Sequence, residues 1–253
     1  MDYIDEKNIR SFEKVNTSSW ENMSDNVFIR LINKKYIDKY DSDIASKDFF
    51  DLAICISLQE RKNNVLKSHL FTQKDLKSYK IDFNTALKQA MQNTENERGK
   101  RILSVDKYMC MHNTVYPLIT RHKTKVMVSV DGDNDNPIGQ VGNNDNGETV
   151  LMLCNKKDTF AASYMASFNI LDEVFKRFNE TNFYIVPVST ICAMCVKSSF
   201  ATNDNKKPIK EAEEDLLDML EQINDEKKEW RNILSYKIYY YYGDDNKHLI
   251  SIK

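Results

Sequence analysis

The last hundred residues constrain the fold most, because apolar runs of strand length alternate there with stripes at helical spacing. Thr149-Val-Leu-Met-Leu-Cys154 precedes Phe168, Leu171, Val174, Phe175 and Phe178, a one-sided helical stripe capped by Ser167. Phe183-Tyr-Ile-Val-Pro-Val188 is apolar at successive positions, so both faces of an extended chain are apolar and the segment reads as a central strand. Ile191 to Lys197 is a further strand-like run. Ile209, Ala212, Leu216, Met219 and Ile223 form a second stripe, with Pro208 suited to the first helical turn. In Ser235-Tyr-Lys-Ile-Tyr-Tyr-Tyr-Tyr242, alternation sets Tyr240 and Tyr242 on one face and Tyr239 and Tyr241 on the other. This order predicts an α+β protein, mainly an antiparallel sheet with helices packed on one face.

The N-terminal half predicts a smaller helix-and-hairpin layer. Ser18 and Ser19 stand before Trp20, Met23, Val27 and Leu31, which predicts a capped helix through Ile32. Phe50 to Leu58 and Val65 to Phe71 predict a hairpin turning at Lys62-Asn63-Asn64. Thr72 and Asp82 read as N-caps of two short helices, the second carrying Phe83, Ala86, Leu87, Ala90 and Met91 on one face. The polar stretch from Asn93 to Arg101 reads as a loop, and Thr114 to Thr120 and Lys125 to Val130 as strands. Asp131 to Glu148 holds four of the six glycines amid Asp and Asn. With so little to bury, it cannot offset the entropy of ordering and predicts a flexible linker. The expected organisation is therefore 1–130, a linker at 131–148, and a C-terminal unit at 149–253.

A chain of 253 residues, 41% hydrophobic and 29% charged, can bury a substantial core. No apolar run approaches the ~20 residues of a membrane span. The start, Met-Asp-Tyr-Ile-Asp-Glu-Lys, is acidic where a signal peptide is basic, which predicts a cytoplasmic protein. The cysteines (Cys55, Cys110, Cys154, Cys192, Cys195) are odd in number and mostly set in apolar runs, as expected of reduced, buried thiols. Asparagine is abundant at 25 residues, a usage that fits an AT-rich bacterial or phage genome.

Several segments resemble an uncharacterised bacterial domain family of unknown function, common in gut Firmicutes and often carried on their mobile elements. They are Arg30-Leu-Ile-Asn33, Asp48-Phe-Phe-Asp-Leu-Ala53, Phe71-Thr-Gln-Lys-Asp-Leu76 through Asn93-Thr94, Leu151-Met-Leu-Cys-Asn-Lys156, Phe183-Tyr-Ile-Val-Pro-Val-Ser189 and Leu234-Ser-Tyr-Lys-Ile-Tyr-Tyr-Tyr241. The resemblance implies that members begin with a further segment that this chain lacks. It also implies an Asn-Gly-Ala where this chain has Phe160-Ala-Ala-Ser163, and a Ser-Ser-Ile-His-Glu-Val where it has Ser189-Thr-Ile-Cys-Ala-Met194. It carries a fold expectation and no catalytic residue.

The chemical motifs are weak. Cys192-Ala-Met-Cys195 has zinc-knuckle spacing, but residues three apart in a strand face opposite ways, and no second ligand pair completes four. Asp131-Gly-Asp-Asn-Asp-Asn136 resembles the start of a calcium loop, yet Asn136 and Gly142 stand where glycine and a bidentate Glu are needed. His69, His112, His122 and His248 are scattered, and Cys110 near His112 and His122 has nothing to fix a nucleophile pair. Asp172 and Glu226-Lys-Lys228 contain the residue types of a nuclease, on expected helical surface. There is no phosphate loop, dinucleotide fingerprint or nucleophile elbow.

Charge is the remaining signal. Residues 62–125 hold 13 Lys/Arg against 5 Asp/Glu, an excess of +8 in a chain of net charge −2, which leaves −10 for the rest. Lys100, Arg101, Lys107, Arg121, Lys123 and Lys125 interleave with Tyr108 and Tyr116, a pattern able to grip an acidic protein surface or to hold phosphates and stack bases. The bland alternative is a basic face docked on the chain's own acidic helix (Glu211, Glu213, Glu214, Asp215, Asp218). The expectation is a non-enzymatic, cofactor-free, macromolecule-binding protein of a phage or mobile element, inhibiting a host defence complex by occlusion. A nucleic-acid-binding protein or metal-dependent nuclease, and a small-ligand module, are the alternatives.

Overall fold

The computed structural model describes residues 19–62, 65–97, 99–105, 107–108, 148–156, 159–203, 208–227, 229–244 and 246–253. Its first strand, β1 (Val27–Asn33), lies where sequence periodicity predicts a helix. The reason is geometric. Positions four apart share a face in a strand as well as in a helix, so Met23, Val27 and Leu31 fit both periods. Ile29 decides between them: it joins Val27 and Leu31 in the core, which only the two-residue period allows.

Three more strands complete a first antiparallel sheet: β2 (Ser46–Phe49), β3 (Leu52–Lys62) and β4 (Val65–Leu70). The long β3 is central, with β1 along one edge and β2 then β4 along the other. The hairpin expected of β3 and β4 is present, with Lys62 paired to Val65. Helix α1 (Gln73–Ser78) follows the Thr72–Asp75 capping box, and α2 (Phe83–Glu95) is capped by Asp82, as its sequence predicts.

The stretch from Asn93, read as loop, stays helical through Glu95 because its polar side chains have partners on β1 and the turn before it. Asn93 Nδ2 donates to the Ser24 and Val27 carbonyls at 2.6 and 2.8 Å. Thr94 Oγ1 accepts from the Ile29 amide at 3.0 Å, and Ser163 Oγ accepts from the Leu31 amide at 3.0 Å. Two outward amides of an edge strand are thereby satisfied, which blunts its tendency to pair with another chain.

The second sheet runs β10-β9-β7-β8-β6-β5 and every pairing is antiparallel. Its strands are β5 (Lys100–Ser104), β6 (Val150–Asn155), β7 (Phe183–Val186), β8 (Ala193–Lys197), β9 (Ile238–Tyr242) and β10 (His248–Ile252). Strand alternation sorts its residues cleanly. Leu151, Leu153, Phe183, Ile185, Ala193, Cys195, Tyr239 and Tyr241 enter one cluster, shared with helix α3 (Phe168–Arg177), α2 and the inner face of the first sheet. Met152, Cys154, Tyr184, Val186, Met194, Val196 and Ile238 enter another, covered by helix α5 (Ile209–Asp225), which follows the single-turn α4 (Ser198–Ala201).

The α+β class is thus as expected, but the helices cover both faces of the sheet rather than one. Phe183–Val186 is buried at every position, and a strand apolar on both sides needs a layer over each. The first cluster also draws on both sequence halves, joining Val27, Ile29 and Leu52 to Tyr164, Ile170 and Tyr239. At the end of β9, Gly243 lies so close to the Phe175 ring that a Cβ there would overlap it. No described helix is long and apolar enough to cross a membrane. The expected strands at 114–120 and 125–130, and the linker at 131–147, lie outside the described residues.

Candidate functional site

Of the basic segment, the described residues are Lys100, Arg101, Lys107 and Tyr108; Tyr116, Arg121, Lys123 and Lys125 lie outside them. Lys100 Nζ donates to Glu173 Oε1 on α3 at 2.6 Å, an internal ion pair between the sheet edge and a helix. Arg101 is half-buried and also engaged, and Lys107 is exposed. Tyr108 is 3% exposed and packs into the cluster beneath α5. As placed, its ring serves the core.

The cysteine motif divides as strand geometry requires. Cys192 enters the cluster under α5 and Cys195 the cluster on the opposite face. Burial raises the Cys195 thiol well above its ordinary range. Cys110, His112, His122 and the Asp131–Asn136 motif lie outside the described residues. Of the remaining motif residues, Asp172 accepts from Tyr241 and pairs with Lys247, while His69 lies 3.1 Å from Asp75 and His248 stacks on Tyr242.

A different surface gathers binding chemistry. The chain leaves β1 through a capped 3-10 turn, Lys34–Lys39, started by Asn33 Oδ1 accepting from the Lys35 amide at 2.9 Å. This places Tyr36 and Tyr40 against Trp230 of a second 3-10 turn, Trp230–Asn232, which follows α5. Tyr36 and Trp230 have centroids 5.2 Å apart at 50°, and Tyr40 meets Trp230 edge-on at 5.3 Å. Both separations are those of favourable aromatic pairs.

Cations surround the rings. Lys39 Nζ lies 4.8 Å from the Tyr36 centroid and 4.9 Å from that of Trp230, Lys35 Nζ 5.7 Å from Tyr36, and Arg231 Cζ 5.4 Å from Trp230. The rings and Arg231 line a small cleft together with Leu31, Asn33 and Thr190. Tyr236, 48% exposed, extends the patch; its phenol is raised first by its hydrogen bond with Tyr36, then by burial.

The surface rests on a buried polar network. Asp51 closes the two-residue turn between β2 and β3, since Phe49 pairs with Leu52. Its carboxylate accepts from Tyr239 OH and from Ser235 Oγ, both at 2.7 Å. Burial, and secondly the Asp51 charge, raise the Tyr239 phenol far above its ordinary range, so it stays a donor. Asn224 Nδ2 donates to the Ser235 carbonyl at 2.8 Å, and Asn224 Oδ1 accepts from Lys227 Nζ at 2.7 Å. Lys227 also reaches the Val188 carbonyl; burial lowers its amine to about 8 against a smaller opposing pull from Cys192.

The same turn puts Phe50 at φ 56°, a backbone state unfavourable for a bulky residue, with its ring 39% exposed. That ring lies 5.0 Å from Phe49 and 5.5 Å from Tyr239. The Phe50 carbonyl accepts from Lys34 Nζ at 2.8 Å, which ties this strained turn to the start of the Lys34–Lys39 turn.

Sequence reading passed over this surface although a signal was present. Lys34-Lys-Tyr-Ile-Asp-Lys-Tyr40 interleaves cations with aromatics as residues 100–125 do, and Trp230 is one of only two tryptophans. Nothing in the sequence joins positions 36 and 230. Arg30-Leu-Ile-Asn33, Asp48 to Ala53, Phe183 to Ser189 and Leu234 to Tyr241 all contribute residues to this cleft or to the network beneath it.

No curated protein and no solved structure matches the chain. A model of a family of unknown function, DUF5688, matches residues 1–242, and the chain belongs to that family.

Proposed function

We propose that this protein acts by binding a protein partner, without catalysing a reaction, through the surface centred on Trp230. The observation that carries this reading is the composition of the patch. Trp230, Tyr36, Tyr40, Tyr236 and Arg231 are the residue types that dominate binding hot spots, and they meet in one place. The Asp51–Ser235–Tyr239 network holds the adjoining turns, so little ordering accompanies binding. The setting we propose is a phage or mobile element, with a host defence complex blocked by occlusion; the basic segment, from Lys100 to Lys125, adds charge attraction toward an acidic partner. A second reading, single-stranded nucleic acid, is favoured by Lys39 and Arg231 lying over rings on which bases could stack.

The test is affinity capture from host lysate, with and without nuclease, comparing the natural protein with Trp230→Ala, Tyr36→Ala and the Arg101, Lys107, Arg121, Lys123→Glu variant. A protein retained after nuclease treatment and lost with Trp230→Ala supports the proposal. Capture lost only on nuclease treatment favours nucleic acid. Capture unaffected by Trp230→Ala but lost with the charge reversal moves the interface to the basic segment. Metal-dependent cleavage of DNA or RNA, abolished by alanine at one acidic residue, would overturn the non-enzymatic reading.

A further inference from the structure

Arg30 breaks a general rule of protein interiors. It lies on β1, only 3% exposed, and arginine is almost never so deeply buried unless paired. Among the described residues no carboxylate pairs with it, and its Nε–H is buried without a hydrogen-bond acceptor. What it does have is aromatic cover. The guanidinium carbon lies 4.0 Å from the Phe160 ring centroid and 5.4 Å from that of Tyr40.

Ring faces attract a cation, but they do not accept the in-plane N–H bonds of a guanidinium as an oxygen or halide does. Cys55 faces Arg30 across the β1–β3 pairing and does not supply the missing anion. Its thiol is pushed up to about 12 by burial, against the smaller pull of the Arg30 charge, so it is neutral at ordinary pH.

Phe160 itself is held at φ 43°, a left-handed backbone state that a bulky residue rarely adopts. Its chain neighbour Thr159 carries another buried side-chain atom without a partner, Oγ1. A buried cation with no anion among the described residues thus lies over a strained aromatic ring, and the residue before that ring carries a second orphan polar atom. Orphan polar groups of this kind need an explanation, and an ion is one that accounts for the charge as well as the donor.

We propose that Arg30 is the receptor of a buried small-anion site, taking a chloride or a carboxylate against the guanidinium edge beside Tyr40 and Phe160. The bidentate geometry of a guanidinium suits a carboxylate, and the narrow exposure of Arg30 favours an ion of that size or smaller. Tyr40 is half-buried and also walls the Trp230 cleft. The carboxylate could be a free ion or a partner's acidic side chain, the chemistry being the same. The site shares Tyr40 with the Trp230 surface, but the burial and orphan Nε of Arg30 carry it and do not depend on what that surface binds.

Thermal unfolding of the full chain tests the proposal, in sodium isethionate, which carries no carboxylate, with chloride or acetate substituted at constant ionic strength. One of these small anions is expected to raise Tm along a saturating curve. At ten times its dissociation constant, the folding equilibrium should shift by about 11-fold. In Arg30→Met, which keeps the length of the side chain and removes the charge, the response should vanish. A response to acetate alone assigns the site to carboxylate-bearing ligands, and a response to chloride as well assigns it to free small anions. A flat Tm in both anions, or an increase that survives in Arg30→Met, overturns the proposal. Should that variant not fold, chloride-35 line widths of the natural protein decide the matter together with the acetate series. Excess broadening over heat-unfolded protein, removed by acetate, supports the site; no excess broadening and no acetate-dependent Tm rejects it.

Discussion

Replacing Tyr239 by Phe removes one oxygen and no packing volume, and so isolates the network that joins the two sheets. In the native fold that hydroxyl donates to Asp51 Oδ1 at 2.7 Å and lies 3.1 Å from Ser235 Oγ. Tyr239 is fully buried, so water cannot take over the donor role. A hydrogen bond to a charged acceptor contributes about 1.5–3 kcal/mol. Asp51 keeps Ser235 as a second donor, which places the expected loss near the middle of that range, about 2 kcal/mol. For a chain of this length that corresponds to a fall in Tm of about 4–8 °C. Urea denaturation should show a lower midpoint with an unchanged slope, because the folded surface is unaltered. In a double-mutant cycle, Asp51→Asn and Tyr239→Phe should couple by about 1–2 kcal/mol. Trp230 emission should also shift, since Ser235 and Leu234 support the adjoining cleft. A loss below about 0.5 kcal/mol, or additive single mutants, would refute the claim that this network ties the sheets together.

Three further outcomes are expected. Gly243→Ala drives a Cβ into the Phe175 ring and should destabilise the fold by about 1–3 kcal/mol through overpacking, checked by denaturation. Asp75 should impart acid sensitivity: burial pushes its carboxyl up, but hydrogen bonds from His69 and Thr72 together outweigh that and bring it down to about 2 from 3.8. A depressed folded value means the stabilisation is fully present above 3.8 and lost as pH falls toward 2, so Asp75→Asn should flatten the stability profile in that window. Finally, Cys192→Ala and Cys195→Ala should each lower stability by about 1 kcal/mol or more through lost packing, without releasing a tightly bound metal; one equivalent of zinc released by either substitution would reverse that reading.

Local chemistry made much of this fold legible in the chain. The Thr72 and Asp82 caps, the β3–β4 hairpin and the tyrosine alternation of β9 each depend on residues within one turn or one strand pairing, and all are present. The stripes of α3 and α5 turn inward from Leu171 and Ala212 onward, while their first expected members, Phe168 and Ile209, are exposed at the helix starts. The stretch at Val27–Leu31 was ambiguous because a four-residue repeat satisfies both periods, and only core burial of Ile29 separates them. Likewise, Tyr108 carries the same side chain whether it stacks on a ligand or fills a core, and packing beneath α5 determined which. The Trp230 surface and the Arg30 environment depend on contacts between residues some 130 to 200 positions apart. Such contacts arise when sheet order and register bring β1, the Ala161–Ala166 turn and the turn after α5 together, and no local pattern encodes that meeting.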